Sequence, residues 1–275
     1  MDSKKILVVS FSQTGTVHKA LENALLPFRE RGAAIEMYSI ETEKPLPFPW
    51  GFFRFFSIMP ETVLGPSVAI RPLEIPEKDW DLVVLGFPVW FLSVAQPMKT
   101  FLLERKWLRG KTILPVITCR ELWWSGYQDF LQITEPFVAN ILEPLVYKEP
   151  LASWKTYLST PIYLVTGKKV FKNNAASWRE TIPSAGNLFM ESVGKKSFRF
   201  WARLIKHVSS RESIGRNVAI CFFFLYLLFA IPILKLIGGV VQFVDSNLKG
   251  LRKQGGRRCN QSMSSVLESF YPIKP

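Results

Sequence analysis

The stretch KILVVSFSQTGTVHKALENALLPF, residues 5–28, decides the fold. Its first part, Lys5–Ser10, is a short apolar run rich in β-branched residues and reads as a strand buried on both faces. A polar turn follows. Val17, Leu21, Leu25 and Phe28 then recur at the spacing of one helical face, and Gly32 stands where a C-capping glycine belongs.

The same rhythm continues outward. Ala34–Tyr38 reads as a second strand, Leu82–Gly86 as a third, Thr112–Ile117 as a fourth and Leu145–Tyr147 as a fifth. Helices are expected over Ala95–Trp107 and Tyr127–Ile141. Buried strands separated by helices imply an α/β fold with a doubly wound parallel sheet over residues 1–148. Two segments break the pattern. Residues 45–66 pack proline, phenylalanine and tryptophan where a short connection would suffice, and residues 149–194 extend past the last strand. Each reads either as ordinary packing over the sheet or as an apolar wall or lid around a hydrophobic ligand.

The chain has 275 residues, 48% hydrophobic and 21% charged, which excludes wholesale disorder. Three cysteines and two histidines exclude a Cys/His zinc centre and a paired disulfide framework. The N-terminus lacks the apolar core of a secretory signal, so the α/β domain is expected in the cytoplasm. The net charge of +13 is uneven. Residues 195–275 hold 14 Lys and Arg against 3 Asp and Glu, leaving 21 against 19 for residues 1–194. A near-neutral body with a basic tail argues against nucleic acid and for an anionic membrane.

That tail has its own order. Residues 195–216 place Phe198, Trp201, Leu204, Ile205 and Val208 on one helical face among Lys and Arg, the pattern of a basic interfacial helix. Asn217–Leu234 is then free of charge, and beyond Lys235 the apolar run continues to Val244. Residues 217–244 read as a membrane anchor, a single span being preferred although Pro232 and Gly238–Gly239 also suit a monotopic hairpin. Residues 245–275 read as a basic, disordered tail.

In open α/β sheets, ligands sit beyond the carboxyl ends of the strands. After the first strand come Ser12, Gln13, Thr14, Gly15, Thr16 and Val17, running straight into a helix. Hydroxyls and unpaired backbone N–H groups at a helix start form a phosphate cradle. The spacing is neither GxGxxG nor a P-loop, which disfavours a nucleotide triphosphate. After the third strand, Pro88, Val89 and Trp90 offer an aromatic edge; after the fourth, Thr118, Cys119 and Arg120 offer polar groups beside Trp123 and Trp124. Together these describe a pocket for a phosphorylated, planar heteroaromatic. Arg120 is a candidate to stabilise a reduced, anionic ring or a substrate oxygen, Cys119 is the weaker candidate catalytic residue, and no general base stands out.

This combination resembles the flavodoxin-like FMN-binding proteins over residues 1 to about 148, with the chain departing at Val17, where a hydroxyl is frequent, and in lacking a glycine-rich third loop. The resemblance implies a five-stranded sheet of order 2-1-3-4-5 and FMN as cofactor. A closer likeness covers nearly the whole chain. PLPFPWGFFRFF, DLVVLGFPVWFLS, TPIYLVTGKK and the basic helix leading into a hydrophobic segment resemble the bacterial dialkylresorcinol condensing enzyme family. It implies a lipid pathway with a ketosynthase or acyl-carrier partner and a lipidic or cyclic ketide substrate. Condensation would need a nucleophilic cysteine with His or Asn support, which Cys119 and His18 do not supply. The residues fit redox work better, and the resemblance implies oxidation of a cyclohexanedione-like intermediate to an aromatic ring, with FMN taking the hydride. Two other functions remain open: an electron carrier to a membrane partner, and a flavin-free scaffold.

Overall fold

The computed structural model describes residues 3–46, 48–65, 68–104, 108–148, 153–168, 178–180, 183–209 and 213–251. Strand β1 (Lys5–Ser10) leads into helix α1 (Thr16–Glu30), then β2 (Ala34–Ser39), α2 (Phe52–Leu64) and β3 (Leu82–Trp90). A two-residue β4 (Ser93–Val94), α3 (Gln96–Glu104), β5 (Thr112–Cys119) and α4 (Trp124–Thr134) follow. The chain then forms β6 (Asn140–Ile141), β7 (Leu145–Lys148), α5 (Ser153–Thr166) and β8 (Trp178–Glu180). Helices α6 (Ala185–Ser209) and α7 (Ser213–Leu251) end the described chain, so most of the expected basic tail lies outside it.

The main strands run in the order β2-β1-β3-β5-β7, all parallel, with β8 added antiparallel at the edge. This is the doubly wound arrangement with a switch point between β1 and β3. Alternation along the strands feeds two cores. Ile6, Val8, Leu82 and Val84 face α1, where Val17, Leu21, Leu25 and Phe28 are all buried. Burying each such side chain contributes about 1.5–3 kcal/mol, so the stripe alone accounts for the docking of α1. Leu7, Val9, Val83, Leu85 and Phe87 face the other way, toward Met98 and Phe101 of α3 and Phe130 of α4.

Several boundaries differ from the expected ones. The third strand continues past Gly86 to Trp90, because Val89 and Trp90 pair with Val94 and Ser93. The helix expected over Ala95–Trp107 covers Gln96–Glu104, with 105–107 outside the described residues. The one expected over Tyr127–Ile141 starts at Trp124 and ends at Thr134, where Pro136 has no N–H to carry the ladder on and Asn140–Ile141 pairs with β5.

Within the aromatic segment, Phe52–Leu64 forms α2, which wedges between the sheet domain and the C-terminal helices. Trp50, Phe55, Phe56 and Met59 share a core with Ala202 and Ile205 of α6 and with Ile220 and Phe223 of α7. Phe198 and Trp201, expected to face lipid, pack against this same core, and only Leu204 of that set is an exposed large hydrophobic.

Candidate functional site

Register brings the three predicted loops to one end of the sheet. Ser10 lies beside Gly86, and Pro88 lies beside Thr118, so the carboxyl ends of β1, β3 and β5 are neighbours. The backbone N–H of Phe11 donates to the Gly86 carbonyl at 2.9 Å, tying the first loop to β3.

The loop from Ser12 to Thr16 is a compact turn into α1. Gly15 has φ of 77°, a left-handed value that suits glycine, and a Cβ there would meet nothing within 4 Å. Helix geometry leaves the first N–H groups of α1 without intrahelical acceptors. One of them, on Val17, donates to the Ser12 hydroxyl at 3.2 Å. The hydroxyls of Thr14 and Thr16 lie 3.1 Å apart and are exposed, as donors to an anion at this helix end would be. The Gln13 amide nitrogen donates to the Leu46 carbonyl at 3.1 Å, while its Oε1 is buried with no hydrogen-bond partner among the described residues. An oriented amide oxygen waiting for a donor, beside a hydroxyl-lined helix start, fits a phosphorylated polyol such as that of FMN.

Pro88, Val89 and Trp90 belong to β3 itself and not to a free loop. Trp90 is edge-on to Phe11 (centroids 5.5 Å apart, 81°) and to Trp50 (5.2 Å, 84°), so it links the first loop to the α2 segment. The turn that follows, Phe91–Leu92, has φ of 48° and 60° without glycine. Such a turn matches the twist of a hairpin but costs of order 1–3 kcal/mol for each residue so held. Leu92 is buried and Phe91 packs on Phe55 and Phe198, which is what holds it.

Thr118 and Cys119 are buried at the end of β5, Cys119 within the core that includes Trp123 and Tyr127. Arg120 is half-buried. Its Nη1 lies 3.4 Å from the Ser159 hydroxyl, and its guanidinium sits 5.0 Å from the centre of the Tyr163 ring, so α5 positions it. Trp123 and Trp124 meet edge to face and open α4.

Glu191 of α6 is the residue that sequence reasoning missed. Its carboxylate accepts the backbone N–H groups of Trp123 (3.0 Å), Trp124 (3.1 Å) and Ser125, the start of α4. An anion at a helix N-terminus is favourable. Glu191 is 1% exposed, and burial pushes its carboxyl above the usual range against the opposing pull of those amides. One turn later, Lys195 donates to the Ser125 carbonyl at 3.0 Å and pairs with Asp129. The C-terminal hairpin is therefore clamped onto the loop that follows β5. An acidic residue inside the apolar run NLFMESV, four residues before a lysine, was the available signal.

The strand order and the loop geometry define the chain as an α/β protein of flavodoxin-like fold. No protein-family model matches it, and no curated protein matches it. Among solved structures it is similar to a protein assigned as a flavoprotein from Bacteroides eggerthii DSM 20697, at 23% identity and a TM-score of 0.44, covering 53% of this chain and 88% of that one. It is also similar to a flavoprotein in complex with FMN from Lactobacillus acidophilus NCFM, at 19% identity and a TM-score of 0.42, covering 50% and 92%. A third, assigned as a flavoprotein from Bacteroides uniformis ATCC 8492, has 18% identity and a TM-score of 0.42, covering 57% and 97%.

Proposed function

We propose that this protein is an FMN-dependent oxidoreductase, held at a membrane by its C-terminal helices and acting on a lipidic or cyclic ketide. The observation that carries the reading is the cradle at the start of α1, where Gly15, the Thr14 and Thr16 hydroxyls and the unpartnered Gln13 oxygen meet at the carboxyl end of β1. Ser12, Thr14, Gly15 and Thr16, with the backbone N–H groups of Gln13 and Val17, would hold the phosphate and its chain. Pro88, Val89 and Trp90 would border one side of the ring, and Thr118, Cys119 and Arg120 the other. FMN, when bound, supplies hydride acceptance. The chain's own task is placement and exclusion of water, which the Phe11–Trp90–Trp50 contacts serve. Arg120, oriented by Ser159 and Tyr163, would stabilise negative charge on a substrate oxygen.

The likeness to dialkylresorcinol condensing enzymes adds the substrate class. A dialkylated cyclohexanedione that loses a hydride and a proton becomes aromatic, and its alkyl chains suit a site beside a bilayer. The membrane part of the reading is supported by one helix among the described residues that is long and apolar enough to cross a membrane, Gly215–Ser246. The test is anaerobic mixing of the FMN-loaded protein with an alkylated cyclohexane-1,3-dione. Bleaching of the flavin band with stoichiometric resorcinol formation is expected. A band that stays oxidised with every such dione, yet bleaches with a reduced protein donor, would overturn the substrate reading in favour of an electron carrier.

A further inference from the structure

The outward side of α7 is an uninterrupted apolar ridge. Val218, Phe222, Leu225, Phe229, Ile233 and Phe243 mark its line at steps of three or four and ten residues, and Phe229, Leu236 and Phe243 are 70–73% exposed. Between Val218 and Val244 no exposed side chain carries a charge. The one charge within this length, Lys235, turns the other way and lies 3.7 Å from Glu121 in the loop after β5.

The inward side of α7 is held from Gly215 to Gln242. Val208 of α6 packs at Gly215, Phe198 and Trp201 contact Phe223, and the Ser197 and Tyr226 hydroxyls are 2.8 Å apart. Near the far end, a Cβ on Gly186 would come within 2.5 Å of the Gly238 carbonyl, so the two backbones are in direct contact there. Phe224 meets Phe52 and Phe56 of α2. Helix α6 thus lies antiparallel beside α7 from Gly215 to Gln242.

This pairing decides how α7 can meet a bilayer. A helix of 32 residues is about 48 Å long against a hydrocarbon core of about 30 Å, so length alone permits a span. A span would carry α6 into the core beside it, together with Lys196, Arg199, Arg203 and Lys206, which are exposed along one edge of α6. Charges facing lipid at that depth are strongly disfavoured. If the hairpin lies flat, the same residues become an asset. The α7 ridge and the neighbouring exposed Phe200 and Leu204 enter the acyl layer, and the basic edge meets the headgroups.

We infer that the α6–α7 hairpin is a monotopic docking face for one leaflet of an anionic membrane, with α7 lying in the plane of the bilayer and not across it. The inference rests on the proposed membrane attachment and adds its orientation. It also explains the clamp: Glu191 and Lys195 on α6, and Lys235 on α7, hold the membrane face directly against the loop after β5.

The experiment uses the full chain on phosphatidylcholine vesicles with and without phosphatidylserine. With Cys259 replaced by serine, a fluorophore is placed in turn on the native Cys221 and, in a Cys221→Ser background, on Leu225→Cys, Phe229→Cys, Leu236→Cys and Phe243→Cys. Depth is read by quenching from lipids spin-labelled at different positions. The flat hairpin predicts one shallow depth for all five, about 5–10 Å below the headgroup boundary. It also predicts binding to the anionic vesicles weakened on the order of a thousandfold when Lys196, Arg199, Arg203 and Lys206 become glutamine, at about 1 kcal/mol for each charge. Depths that run through the midplane and out again would overturn the flat orientation while sustaining attachment. Absence of lipid quenching, with the protein left behind in flotation, would overturn attachment itself. Cys221–Cys221 crosslinking without lipid quenching would assign the ridge to a second copy of the chain and overturn the inference.

Discussion

Replacing Glu191 with alanine should separate the C-terminal hairpin from the sheet domain. The change leaves the N–H groups of Trp123, Trp124 and Ser125 without their acceptor. Trp123 and Ser125 are buried, and a buried donor left unmade costs about 1–3 kcal/mol, whereas the half-buried Trp124 amide can reach water at little cost. Removing a buried carboxylate returns part of that by ending its desolvation. The net loss expected is roughly 3 kcal/mol, a large share of a domain's stability. Urea unfolding in mild detergent, followed by tryptophan emission, measures it, because Trp123 and Trp124 sit at the contact. Glu191→Gln keeps one acceptor oxygen and should lose only about 1 kcal/mol. The pH dependence has a definite sign. Burial raises the folded-state value of this carboxyl, so its contribution is greatest below the unfolded value of about 4.3 and falls as pH rises through the folded one. Wild type should therefore lose ground to the Gln variant as pH rises over that window. An alanine variant within about 1 kcal/mol of wild type would refute the clamp.

The other predictions concern the cradle and the core. Gly15→Val forces a branched side chain into a left-handed backbone, costing about 1–2 kcal/mol while leaving circular dichroism unchanged and abolishing FMN uptake in a fluorescence titration. Gly86→Ala places a methyl 2.9 Å from Val17 and Leu21 at the base of the cradle, so about 1–3 kcal/mol of stability should be lost in urea unfolding, with weaker FMN binding following from the displaced start of α1. Tyr127 is pushed up to about 12 by burial first and by the charges of Glu135 and Glu143 next. Ultraviolet titration should find its phenolate forming only near there, and Tyr127→Phe should remove the part of the stability that falls as pH rises from about 10 toward that value.

The strands and α1 were legible because their signals are local. Val17, Leu21, Leu25 and Phe28 announce a buried face by spacing alone, and all four are buried on the sheet. Helix α2 was not, because prolines surround and interrupt it, although Arg54, Ser57 and Glu61 recur at helical spacing away from the buried Phe55, Phe56, Ile58 and Met59. The extension of β3 to Trp90 depends on pairing with Ser93 and Val94 through a glycine-free turn, which no turn residue signals. The cradle residues were named from their order along the chain, whereas Glu191 came to the site from a helix far downstream. The amphipathic pattern of α6 was visible, but not what it covers: Phe198 and Trp201 suit lipid and the aromatic faces of α2 and α7 equally well.

The proposed function requires that the cradle after β1 hold FMN. Its most direct measurement is the absorption spectrum of the full-length protein purified in detergent, with any released cofactor identified by mass. An oxidised flavin spectrum with one FMN per chain is expected, either as isolated or after incubation with added FMN, and its loss in Gly15→Val. A folded protein that is colourless and takes up no added FMN would contradict it.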